Sequence, residues 1–112
     1  MTVTSLMLSL GIHSTLKGFH YLRYGLGLCM EDEDYLLSVY KELYPKIAIR
    51  FATSQDGVEH CIRTAVYNCW YKGNRKLLFK IAGYELTHKP TNGEFIDILY
   101  HYLDTLDRMK SI

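Results

Sequence analysis

The stretch SQDGVEHCIRTAVYNCWYKG, residues 54–73, decides the fold. Its apolar residues Val58, Cys61, Ile62, Ala65, Val66 and Cys69 recur at intervals of three and four. Only an α-helix gathers that spacing onto one face. Asp56 stands three residues before Glu59, a capping-box-like start, and Gly73 supplies a stop. Immediately upstream, PKIAIRF (45–51) predicts a short helix, because proline suits a first helical turn but breaks an interior one. The linker Ala52-Thr53-Ser54-Gln55 between them leaves a turn of about four residues, the spacing of a helix-turn-helix.

Helical signals continue in both directions. Downstream, Asn74 is placed to cap RKLLFKIA (75–82), which Gly83 closes. Thr91 and Glu94 form a capping box for a long last helix bearing Phe95, Ile98, Leu99, Tyr102, Leu103 and Leu106. Upstream, a first helix is expected over about Thr4 to Leu10, stopped by Gly11. A second, capped by Ser14, carries Leu16, Phe19, His20, Leu26 and Leu28 to about Met30, with Gly25 and Gly27 permitting close packing. The acidic run MEDEDY opens a third, whose buried stripe is Leu36, Val39, Tyr40 and Leu43; acids there oppose the positive end of the helix dipole. No stretch alternates with turn signals on both sides, and there is no repeat or linker. The expected fold is all-α: a compact bundle of about six helices containing a helix-turn-helix, one domain over residues 1–112.

Composition narrows the function. With 112 residues and 48% hydrophobic residues, the chain can bury a core without disulfides or metal. Three cysteines, Cys29, Cys61 and Cys69, make an odd count without a zinc pattern, so they are expected as small buried hydrophobes in a reduced, cytoplasmic protein. The apolar N-terminal stretch is interrupted by Gly11, His13 and Lys17, too soon for a membrane span. The five histidines show no i, i+4 pair beside a carboxylate, and no nucleophile sits in a recognisable constellation. No metal, no cofactor and no catalysis are expected. Most of the ten tyrosines sit at core spacing, Tyr67 excepted.

The net charge of +1 conceals an asymmetry. Residues 1–39 carry two bases against four acids and residues 81–112 three against five, whereas residues 40–80 hold eight bases against three acids. The cationic segment is the one that contains the helix-turn-helix, and such clustering is the electrostatic footprint a phosphate backbone requires. At about 100° per residue, the face opposite the apolar stripe bears Glu59, His60, Arg63, Thr64 and Tyr67. Arginine can pair with guanine O6 and N7, glutamate can accept from cytosine N4, and threonine can offer hydroxyl or methyl. These five are the expected base-reading residues. Lys46, Arg50, Ser54, Gln55, Lys72, Arg75 and Lys76 are the expected phosphate contacts, with Lys89 and Asn92 as further candidates that simple capping explains equally well.

The stretches KGFHYLR (17–23), LYPKIAIRF (43–51), VEHCIRTAVYNCW (58–70) and KPTNGEFI (89–96) resemble the C-terminal DNA-binding domain of the stage 0 sporulation protein A family, the sporulation-initiating response regulators of endospore-forming Firmicutes. The agreement in order and spacing runs from about Leu10 to the last helix. The resemblance implies a six-helix domain that binds promoter DNA in the major groove, often as tandem copies, with Glu59 and Arg63 facing the bases. The chain departs from the family where Gly57 replaces a basic residue, His60 a second arginine and Thr64 a histidine, which shortens its cationic reach. Ala82 stands where the family places an aromatic residue that contacts RNA polymerase sigma factor. Because the chain opens at Met1 with the effector segment, the expectation is a stand-alone regulator without a receiver domain. Two functions follow as expectations: a sequence-specific double-stranded DNA-binding transcriptional regulator, acting as a homodimer or in tandem on DNA, or an interaction module of the same fold that has lost DNA binding and modulates a full-length regulator.

Overall fold

The computed structural model describes residues 1–110. Ser111 and Ile112, which the sequence assigns to the same domain, lie outside the described residues. Among those described there are six α-helices and no strand: α1 (Val3–Ser9), α2 (Lys17–Glu31), α3 (Tyr44–Arg50), α4 (Gln55–Lys72), α5 (Arg75–Ala82) and α6 (Asn92–Lys110). The all-α bundle with a helix-turn-helix is therefore present. Its radius of gyration, 13.2 Å, is what a close-packed chain of this length requires.

Boundary residues act through the expected chemistry at most ends. The Thr91 hydroxyl accepts from the Glu94 backbone N–H while the Glu94 carboxylate accepts from the Thr91 N–H, so the last helix has its capping box. Asn74 Oδ1 accepts from the Leu77 N–H, and Gly83 ends α5 in the left-handed conformation with φ +88°. Three ends differ. Ser14 does not cap α2, whose N-cap position is Leu16 and makes no side-chain cap bond; the Ser14 carbonyl instead accepts from the His20 ring. At α4 the cap is Ser54, whose hydroxyl accepts from the Gly57 N–H, so the helix begins two residues before the expected Asp56–Glu59 box. The turn of the helix-turn-helix is consequently Phe51 to Ser54.

The expected third helix is not a regular one. Asp32 caps a 3-10 turn, Glu33–Leu37, and a single π-type turn, Val39–Leu43, then runs directly into α3. Breaking the helix rotates the stripe: Leu43 is fully buried, Leu36 and Val39 are half-buried, and Tyr40, expected inside, is exposed. Of the ten tyrosines, six lie in the core or pack against it and Tyr67 is exposed as expected, whereas Tyr40, Tyr71 and Tyr84 are exposed against expectation.

The core forms where α2 crosses behind α4, with α3 and α6 at the flanks. Phe19, Leu22 and Leu26 of α2 meet a core that includes Val58, Ile62, Ala65, Val66 and Cys69 of α4 and Phe95, Ile96 and Leu99 of α6. The residue that permits the crossing is Gly18, since a Cβ there would collide with the Cys61 backbone carbonyl. Gly25 faces the side-chain ends of Ile47 and Leu43, and Gly27 faces open space. Cys29 and Cys69 are buried and Cys61 is half-buried. Burial pushes the Cys29 thiol up to about 11 and the Cys69 thiol up to about 12.

Candidate nucleic-acid interface

The chain leaves α3 through a Schellman motif: the Thr53 N–H donates to Ala48 O and the Ala52 N–H to Ile49 O, with Ala52 left-handed at φ +52°. This reversal sets α4 against α3 as the second helix of the pair. Two further ties hold its first turns. Gln55 Nε2 donates to Tyr40 O at 2.8 Å, fastening the start of α4 to the π-type turn. Asn92 Nδ2, from the first turn of α6, donates to the Glu59 carbonyl at 3.0 Å and to the Tyr44 hydroxyl at 3.1 Å. Burial raises the Tyr44 phenol above its ordinary pKa, so it remains neutral as an acceptor.

With its apolar stripe against the core, α4 turns His60, Arg63 and Tyr67 out to solvent, with Glu59 and Thr64 half-buried at the two edges of the same side. Arg63 has 56% of its side chain exposed and Tyr67 is 46% exposed, so no other helix covers the centre of this face. The guanidinium of Arg63 donates to the Glu59 carboxylate at 3.0 Å, one turn earlier. That pair at i, i+4 leaves Arg63 other donors while fixing its direction. Thr64 donates its hydroxyl proton to His60 O. One turn beyond Tyr67, Tyr71 lies on the same side, with ring centroids 4.6 Å apart. Tyr71 was legible only as the i+4 neighbour of Tyr67. Lys89, in the segment before α6, places its ammonium 5.6 Å from the Tyr67 ring centre, joining this face from a distant part of the chain.

The expected phosphate contacts divide into two groups. Lys46, Lys72 and Lys76 are exposed, and Arg50 is exposed with its guanidinium beside the Tyr24 and Phe51 rings. The other three are engaged with the protein itself. Ser54 caps α4, Gln55 is turned to Tyr40, and Arg75 donates to Trp70 O while its guanidinium lies 4.1 Å from the Trp70 ring centre. Asn92, weighed equally between capping and phosphate contact, is occupied by Tyr44 and Glu59.

A short helix, a four-residue reversal and a longer helix with an outward polar face have a counterpart among known families. The family described as Sporulation initiation factor Spo0A C terminal matches residues 3–103, nearly the whole chain. The chain belongs to this family. The Spo0A C-terminal domains are DNA-binding effector domains of response regulators and not a class of enzymes. Among the described residues, no helix is long and apolar enough to cross a membrane.

Proposed function

We propose that this Spo0A-type domain is a sequence-specific reader of double-stranded promoter DNA and regulates transcription in the cytoplasm. The observation that carries this reading is the uncovered side of α4, where the exposed Arg63 is held by the half-buried Glu59 on the second helix of a helix-turn-helix. A helix with its side chains is about 10–12 Å across, and the major groove is about 12 Å wide, so α4 fits lengthwise. Arg63 reads guanine, with Glu59 holding its guanidinium in a defined direction and accepting from cytosine when the pair opens. His60, Thr64 and Tyr67 line the same groove, with Tyr67 offering apolar contact to a thymine methyl. Lys46, Arg50, Lys72 and Lys76 contact phosphates on the flanks. Ser54, Gln55 and Arg75 contribute by holding the ends of α4 in place. As a working unit we propose two copies on adjacent half-sites, with a sigma-factor contact at the end of α5 limited to what Ala82 and the exposed Tyr84 can provide.

Selection of bound duplexes from a random pool, followed by fluorescence anisotropy at two salt concentrations, tests the reading. The expected result is tight binding to the selected duplex, weaker binding to a scrambled one, and loss of affinity for both as salt rises. Absence of binding at low salt, together with capture of a full-length regulator by this chain, would establish the interaction-module function instead.

A further inference from the structure

Beside the outward face of α4 lies a groove of about 450 Å³, within the range of small-molecule sites. Its walls are the π-type turn with Val39 and Tyr40, the buried Tyr44, Val66 of α4, and Pro90 ahead of α6. These surfaces are apolar and aromatic. Three charged groups line it: Glu59, Arg63 and Lys89. Glu59 is already paired with Arg63 at 3.0 Å, and Lys89 rests over Tyr67 with no carboxylate within ion-pair distance among the described residues. The lining therefore carries one cation in excess, half-buried at the edge of an apolar slot.

We propose that this groove binds a small aromatic or alicyclic carboxylate. The ring body fills the space between Tyr40, Pro90 and Val66, and the carboxylate meets Lys89 and the free donors of Arg63. That the ligand is a monoanion follows from charge complementarity: a neutral ligand leaves Lys89 without a counter-ion, and a cation is repelled by it. The occupant would use two side chains that, on the DNA-binding reading above, stand at the protein–DNA boundary. A bound carboxylate would compete with bases for Arg63 and with phosphate for Lys89, so the groove links the concentration of such a metabolite to DNA affinity. This regulatory consequence rests on that reading, whereas the binding site itself does not.

The test uses the 112-residue chain with 1-naphthoate as probe and neutral 1-naphthalenemethanol as control, followed by amide NMR shifts without DNA. The expected result is a saturable shift centred on residues 63 and 89–93, with affinity at least about tenfold weaker for the alcohol and for Lys89→Gln. Tyr40→Ala, at an exposed position that does not threaten folding, weakens it as well. No saturable shift up to about 5 mM naphthoate, or equal affinity for acid and alcohol, would overturn the site. In a parallel anisotropy titration naphthoate is expected to displace the selected duplex from wild type but not from Lys89→Gln. Duplex binding without naphthoate binding sinks this inference alone. Naphthoate binding by a chain that ignores DNA leaves the site standing and removes its regulatory role.

Discussion

On the proposed DNA-reading function base recognition turns on Arg63, and its 3.0 Å contact with Glu59 makes a defined prediction. Arg63→Ala should weaken binding to the selected duplex by about 1–3 kcal/mol and relax preference at one base pair. Lys72→Ala should instead weaken binding to every sequence and lower the salt slope by about one. Anisotropy on selected and scrambled duplexes separates the two; equal losses on both duplexes for both variants would reject these roles. The cysteines make an independent check on packing. With Cys29 and Cys69 pushed up to about 11 and about 12 by burial, neither forms thiolate near neutrality. Mass spectrometry after alkylation should find the half-buried Cys61 modified first, and the other two only under denaturant.

Among the elements, the turn into α4 holds an unspent stabilisation. Ala52 occupies the left-handed position of a Schellman motif, where a Cβ is unfavourable and glycine is relaxed. Ala52→Gly should raise stability by about 1 kcal/mol, read from chemical denaturation, without altering the proposed DNA contacts. The start of α6 gives a pH dependence. Hydrogen bonding from the Thr91 backbone N–H holds Glu94 below its ordinary pKa. A carboxylate whose pKa is lowered by folding stabilises the protein above its unfolded pKa and loses that contribution as pH falls through the folded value. Wild type should therefore melt above Glu94→Gln at neutral pH, with the gap closing once the solution is well below about pH 4.3. These two caps were readable unequally. Thr91-x-x-Glu94 is a spacing that names its own geometry, whereas Asp56-x-x-Glu59 mimics a box that the Ser54 hydroxyl supersedes two residues earlier.

For the molecule as a whole, the crossing of α2 behind α4 determines where the outward face points. Gly18 permits that approach, and the atom its Cβ would strike is backbone, which cannot step aside as a side-chain tip can. Gly18→Ala should cost about 3 kcal/mol, at the upper end of overpacking effects, and lower DNA affinity, because Gly18 packs on Cys61 and Ala65 of α4. A Gly18→Ala protein of unchanged melting temperature would show that the two helices are not held as closely as described. By contrast, Gly27→Ala, facing open space within a helix, should stabilise slightly. Sequence alone singled out Gly25 and Gly27 because they interrupt one helix; it had no means of knowing which glycine another helix would cross.

The line between sequence and tertiary structure runs along this difference in range. Periodicity, caps and stop residues act over one or two helical turns, so the all-α class, the helix-turn-helix at α3 and α4, and the side of α4 that bears Arg63 and Tyr67 were all determined locally. The 3-10 and π-type turns over Glu33–Leu43 were not, because their departure from a regular helix depends on how that segment packs against α2 and α3. Nor was the meeting of Lys89 with Tyr67, or the internal hydrogen bonds of Gln55 and Arg75. Local spacing dictates which way a side chain leaves its own helix. Only the packed bundle decides what it meets there, since those neighbours come from segments whose separation along the chain no period encodes.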